Sequence, residues 1–276
     1  MFKIGCHLSI SKGYYKAGLQ AVDINANTFQ FFTRNPRGGK AKALDMDDIN
    51  KFSELVKEHD FGVLFAHAPY TMNLSSDKED IRDFAKSVLK DDLNRLKLFP
   101  KSYYIFHPGS HLKQGSDKGI EYIVEALNET LTEDNEITIL LEGMAGKGTE
   151  IGRNMEELKK IIDGVKYNEN LGICIDTCHL YSSGFDIVND LNGVIDSIDK
   201  IIGFDRVKAV HLNDSKTEFA SNKDRHELIG KGTIGMEAIV NIINHPYLRE
   251  LPFNLETPND VKGHKEEIEM LRTAYK

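Results

Sequence analysis

The stretch LGICIDTCHLYSSG, residues 171–184, begins as an apolar strand and ends in a cluster of reactive side chains, Cys174, Asp176, Cys178 and His179. Successive side chains of an extended chain point to opposite faces, so Gly172, Cys174 and Asp176 share one face and Ile173 and Ile175 the other. Both faces therefore need cover. Free cysteine is among the most buried residue types, and Cys174 and Cys178 read as inert packed thiols. Asp176, at the end of the strand where the chain opens, and His179 remain as groups for chemistry.

The same kind of run recurs along the chain: FKIGCHLS (2–9), TFQFF (28–32), GVLFAH (62–67), YYIFH (103–107), ITILLE (137–142), GICID (172–176), VKAVH (207–211) and FNLE (253–256). Helical periodicity fills the gaps, as in Ile81, Phe84, Ala85, Val88 and Leu89, or Val188, Leu191, Val194, Ile195 and Ile198. One helix shows its start signal, Asn154 followed three residues later by Glu157. Strands alternating with helices imply a parallel sheet, and eight strands close into a (β/α)8 TIM barrel. A doubly wound open sheet is the alternative. No linker or low-complexity segment divides the chain, which predicts a single domain over 1–276. The glycines of GMAGKG (143–148) lack the dinucleotide-binding spacing and read as a loop.

With 276 residues and 40% hydrophobic content, the chain can bury a large core. No apolar run is long enough to span a membrane, and the start MFKIGCHLSI reads as a strand instead of a secretory signal. Three cysteines without a paired framework agree with a reducing, cytoplasmic location. The formal charge of -8 argues against casual nucleic-acid binding. Locally the balance reverses: TRNPRGGKAK (33–42) carries Arg34, Arg37, Lys40 and Lys42 and no acid.

The residues that end the strands carry the most information. His67, His107, Glu142, Asp176, His211 and Glu256 each close a predicted strand, one β/α unit apart, and parallel strands bring such ends to one face of a barrel, where active sites form. Buried imidazoles and carboxylates gathered at one mouth would be costly without a cation to share. His179 and the pair Asp224 and His226 are expected in loops just beyond. These nine residues offer imidazole and carboxylate, a set suited to zinc and less specifically to manganese or iron. Nine is too many for one tetrahedral ion, so two or three metals with a bridging carboxylate fit the count. His59, His245 and His264 read as surface residues. His7 and His111 lie near strand ends, where a role behind the ligands stays open.

These residues, with FHPGSH (106–111), CIDTCH (174–179), HLNDSK (211–216), DRHELIGKG (224–232) and LET (255–257), give a chain that resembles the endonuclease IV family, zinc-dependent apurinic/apyrimidinic endonucleases of base excision repair. The resemblance runs nearly end to end. It implies three zinc ions per chain: the first on His67, His107 and bridging Glu142, the second on Glu142, Asp176, His211 and Glu256, the third on His179, Asp224 and His226. It further implies hydrolysis of double-stranded DNA 5′ to an abasic site, with Glu142 and Glu256 as catalytic carboxylates; a monomeric enzyme is the expectation, which the sequence does not fix. Arg37 and Tyr70 match residues that enter the DNA at the lesion. Thr71 departs from the apolar wedge of some relatives, which leaves open how Tyr70, Thr71 and Met72 divide the kinking of the DNA. A sugar isomerase or epimerase on the same barrel would need only one or two ions, leaving His179, Asp224 and His226 surplus. A non-catalytic zinc-stabilised barrel that binds DNA is the third reading.

Overall fold

In the computed structural model, which describes residues 1–276, each predicted run forms a short parallel strand. The barrel strands are β1 (Ile4–Cys6), β2 (Gln30–Phe32), β3 (Leu64–His67), β4 (Ser102–Phe106), β5 (Ile139–Glu142), β6 (Leu171–Asp176), β7 (Val207–His211) and β10 (Phe253–Leu255). They pair in the order β1-β10-β7-β6-β5-β4-β3-β2. The ring closes between its end strands, where His7 bridges to Gln30 and the Leu8 N–H donates to Gln30 O at 2.8 Å. A two-stranded antiparallel ribbon, β8 (Asp214–Ser215) and β9 (His226–Glu227), follows β7.

Nine helices connect the strands: α1 (Tyr14–Asp23), α2 (Met46–Glu58), α3 (Glu79–Leu96), α4 (Ser116–Thr130), α5 (Met155–Gly164), α6 (Thr177–Ser183), α7 (Leu191–Ile202), α8 (Gly235–Asn244) and α9 (Val261–Ala274). The Asn154 side chain caps α5, accepting from the Glu157 N–H at 2.9 Å, a contact that typically stabilises a helix by about 1 kcal/mol. None of the helices is long and apolar enough to cross a membrane.

The strands separate two apolar regions. Between strands and helices lies the main core, which includes Ile173 and Ile175. Inside the barrel, Phe65, Ile105, Leu140, Cys174 and Ala209 form a smaller cluster of their own. The alternation read from GICID holds: Cys174 points into the barrel and the two isoleucines point out. The strands are mostly shorter than the apolar runs that predicted them, and two of the expected strand-end residues, His107 and Glu256, stand one residue beyond β4 and β10. Their side chains still emerge at the C-terminal mouth, because a barrel-facing residue two positions earlier sets their direction.

Candidate metal centre

At the mouth, Glu142 occupies the middle of the constellation. Its Oε2 lies 3.1 Å from His67 Nε2 and 3.3 Å from His107 Nε2, and its Oε1 lies 3.1 Å from His211 Nδ1 and 3.4 Å from His179 Nδ1. Glu256 Oε2 is 3.4 Å from His211 Nδ1. Three groupings with metal-ligand spacing emerge: His67, His107 and Glu142; Glu142, Asp176, His211 and Glu256; and Asp176, His179 and His226. Asp224 joins the third, with Oδ1 3.4 Å from His179 Nε2 and 3.3 Å from His226 Nε2. All nine residues singled out from sequence thus converge.

Local structure sets their directions. Asp176 ends β6 and caps α6, accepting from the His179 N–H at 2.7 Å, so one helical turn carries His179 back over the mouth. His179 therefore stands in a short helix, where the sequence suggested a loop: the strand-end carboxylate supplies the cap that lets the chain turn at once into α6. His226 is placed by β9. The loop after it is pinned by buried Asp214, whose carboxylate accepts from the N–H groups of Gly230, Gly232 and Ile234, each at 3.0 Å.

An imidazole offers a lone pair on one nitrogen only when the other carries the proton. His67 Nδ1 donates to Ala68 O (2.6 Å), His179 Nδ1 to Gly143 O (3.0 Å) and His226 Nδ1 to Glu256 O (3.2 Å), leaving Nε2 of each facing inward. His211 is reversed: Nε2 donates to Gln30 Oε1 at 2.7 Å and Nδ1 faces the carboxylates. Of the inward nitrogens, His179 Nε2 and His226 Nε2 are buried without a hydrogen-bond partner. Buried polar atoms are rarely left unpaired. Two orphaned imidazole nitrogens beside the Asp224 carboxylate form a donor set that fits a divalent metal.

The charges agree. Burial opposes ionisation of Glu142, yet His211 and His107 hold its carboxyl well below the usual range. Asp224 is depressed in the same way against its burial by His179 and His226. Burial pushes His7 down to about 4, so its ring stays neutral. Burial also pushes the Cys174 and Cys178 thiols up to about 11. Neither offers a thiolate at neutral pH.

Sequence reading missed the polar groups behind this ring. Gln30 is fully buried in β2 and bonded to His211, Glu256 and His7. Asn213 donates to Asp176 Oδ2 at 2.6 Å and accepts from the Glu256 N–H at 2.9 Å. The available signal was a lone glutamine in an otherwise aromatic strand, TFQFF.

Two histidines expected at the surface are buried. His264, in the first turn of α9, faces Glu267 across one turn at 3.3 Å, and His245 bonds Asn192 Oδ1 at 3.1 Å. The chain folds each against a polar partner, although His245 Nδ1 is left buried without one. His59 is exposed as expected. His111 serves its own loop, its Nδ1 accepting from the Gly115 N–H at 3.1 Å.

The basic loop opens on the same mouth but is less uniform than its composition. Arg34 is buried and paired with Asp91 (2.8 Å) and Asp92, which also accepts from the hydroxyls of Thr33 (2.7 Å) and Tyr104 (3.0 Å). Its charge is consumed within the fold. Phe84, which the helical periodicity placed on the apolar face of α3, is instead partly exposed and packs over Gly39, where an added Cβ would lie 2.1 Å from its ring. Arg37, Lys40 and Lys42 stay exposed. Tyr70 is 62% exposed, rests edge-on against Phe32 and ties its loop to the Arg37 loop through its N–H to Pro36 O at 3.1 Å. Met72 is buried, with its sulfur packed 3.5 Å from the Tyr104 hydroxyl oxygen, which removes it from the residues able to wedge into DNA.

Comparison with known proteins agrees with this architecture. The family model of the xylose isomerase-like TIM barrel matches residues 19–274. The chain is 60% identical to a "Probable endonuclease 4" of Alkaliphilus oremlandii, covering 100% of this chain and 98% of that protein, and 58% identical to one of Methanosphaera stadtmanae, covering 100% of both. The crystal structure of endonuclease IV from Thermus thermophilus superposes with a TM-score of 0.88 at 30% identity, covering 99% of this chain and 98% of that one. With eight parallel strands, a polar mouth and full-length identity of this order, the chain belongs to the endonuclease IV family of DNA-repair hydrolases.

Proposed function

We propose that this chain, acting over 1–276 as one catalytic domain, hydrolyses the phosphodiester 5′ to abasic sites in double-stranded DNA with three zinc ions, leaving a 3′-hydroxyl and a 5′-deoxyribose phosphate. The observation that carries the reading is the pair of buried, unpartnered nitrogens His179 Nε2 and His226 Nε2 beside Asp224, a third donor set in addition to the two groupings that share Glu142. A barrel built for one or two ions has no use for it.

In this reading His67, His107 and Glu142 hold one ion, Glu142, Asp176, His211 and Glu256 a second, and His179, Asp224 and His226 the third. When bound, zinc supplies a Lewis acid that lowers the pKa of water and neutralises charge on the phosphate. The side chains do the rest. Glu142 presents one oxygen to each side of the centre, and Glu256, held at Oε1 by Gln30, turns Oε2 to the mouth as an acceptor. Both act as the catalytic carboxylates, orienting the attacking water. Arg37 and Tyr70 on their tied loops meet the DNA, and an abasic nucleotide costs less to extrude than a stacked, paired one.

The direct test is incision of a duplex carrying one abasic analogue, beside an undamaged duplex, with zinc per chain measured by elemental analysis. Incision of the abasic strand alone and close to three zinc ions are expected. A single tightly held metal without incision would point to an isomerase or epimerase.

A further inference from the structure

Four of the five imidazoles in the centre are held from behind. Three rely on backbone carbonyls, which the fold fixes regardless of side chain. His211 alone depends on a side chain, Gln30.

The glutamine amide has only one workable orientation. Its Oε1 accepts from His211 Nε2 at 2.7 Å, while its Nε2 donates to Glu256 Oε1 at 2.5 Å and to His7 Nδ1 at 3.1 Å. Flipping it would set its oxygen against the Glu256 carboxylate, which only accepts, so Glu256 fixes the amide and the amide oxygen in turn calls for a proton on His211 Nε2. A buried amide with one acceptor and two donors engaged is fully used. The consequences fall on two facing groups. The proton of His211 is kept on Nε2, which leaves Nδ1 open towards Glu142 and Glu256, and Glu256 is kept with Oε2 towards the centre.

We infer that Gln30 is a positioning residue that sets the imidazole tautomer of His211 and the carboxylate rotation of Glu256, and through them the affinity of the second metal position. This rests on the zinc reading above. His7 completes the arrangement by taking the second amide proton, its ring packed 4.3 Å from that of Phe32. A group behind a metal ligand commonly controls affinity by about 10- to 100-fold, and Gln30 stands behind two.

The test uses the full-length protein with Gln30→Met, which keeps the volume and removes every bond, and Gln30→Glu, which keeps the acceptor for His211 and opposes Glu256. Zinc is titrated against a chelator, and the hydrogen-bonded His211 Nε2–H is followed by proton NMR on protein with 15N-labelled histidine. For Gln30→Met, one zinc is expected to weaken by about 10- to 100-fold while the others hold, with loss or displacement of the His211 resonance. Incision should fall at limiting zinc and recover as free zinc is raised, with KM for abasic duplex unchanged. Gln30→Glu should retain the His211 resonance and still weaken one zinc. The NMR readout needs no metal, so a moved resonance in a protein whose parent binds no zinc would sustain the hold of Gln30 on His211 and sink the zinc reading instead. Parental zinc affinities in Gln30→Met, with the His211 resonance unmoved, would overturn the role of Gln30.

Discussion

On five neighbouring strands the barrel interior changes character over two residues. Phe65 gives way to His67, Ile105 to His107, Leu140 to Glu142, Cys174 to Asp176 and Ala209 to His211. Strand period alone puts each pair on the same face. The floor is apolar and fully buried, and it lies directly beneath the mouth, with the Phe65 ring centroid 6.2 Å from that of His211. Because the floor offers no hydrogen-bond partner, the most buried groups of the mouth, Glu142, Asp176, His179 and His211, must find theirs in neighbouring side chains, backbone or an ion.

The comparison breaks if floor and mouth variants fail in the same way. Asp176→Ala should lose at least about 100-fold in incision, the scale of removing one group that stabilises transition-state charge, together with part of the zinc. Leu140→Ala should instead lower stability by about 2–5 kcal/mol, read as a fall in Tm, with zinc content kept. Zinc lost from the floor variant at temperatures where it stays folded would show that the two layers are not separable.

Removing the metal sharpens the same contrast through pH. For His179, burial lowers the imidazole, but Asp176, Asp224 and Glu142 win and raise it well above its ordinary value. Glu142 moves the other way, held down by His211 and His107 against its burial. In metal-free protein the raised imidazole contributes stability below its ordinary value, lost as pH rises through the raised one. The depressed Glu142 contributes above its ordinary value and loses it as pH falls. Chelated protein should therefore be most stable between the ordinary carboxylate and ordinary imidazole ranges and weaken as pH climbs from there towards the raised imidazole value, whereas zinc-loaded protein should not. Thermal melts of both forms across pH check this, and parallel profiles would count against the ligand assignment.

How much of this was legible follows from the same two layers. Six ligand-type residues each close an apolar run, one per β/α unit, so the barrel and those six positions could be read, and His179, Asp224 and His226 stood out as the same residue types just beyond strand ends. Gln30 and Asn213 could not, because neither is a metal-ligand type and each acts through a neighbour distant in sequence. His264 carried an unused signal: His264, Glu267, Ile268 and Leu271 follow the helical spacing of a buried face. Arg34 was miscounted among free cations because its partners Asp91 and Asp92 lie on α3, far along the chain.

Arg34 and Arg37, three residues apart, extend the comparison to the mouth's rim. Arg34→Ala leaves Asp92 buried and unpaired and should cost about 3–5 kcal/mol of stability. Arg37→Ala should leave Tm and zinc content alone, weaken binding to abasic duplex more than to intact duplex, and reduce the slope of log affinity against log salt by about 0.9 per lost phosphate contact. Neutralising Lys40 and Lys42 should reduce the slope without discriminating between the duplexes. A salt titration in which Arg37→Ala matches the parent would return the loop to solvent.

The smallest effect is expected where the opening stretch looks most reactive. Cys178 lies between ligand candidates Asp176 and His179 in sequence, yet α6 turns its side chain away from them, with Sγ 3.7 Å from Arg225 O. Burial that pushes its thiol up to about 11 leaves almost no thiolate near neutral pH, and only the thiolate binds zinc or attacks an alkylating reagent. Cys174 is in the same condition one layer down, among Phe65, Leu140 and Ala209. Cys178→Ala should therefore keep parental zinc and incision within about twofold, since neighbours can close over one lost sulfur and no polar group is orphaned except the second lone pair of a backbone carbonyl. Alkylation of the native protein should be slow and should accelerate only on unfolding. A Cys178 variant that sheds zinc while Asp176→Ala retains it would exchange ligand and packing residue at the junction of β6 and α6, and with them the basis for separating floor from mouth.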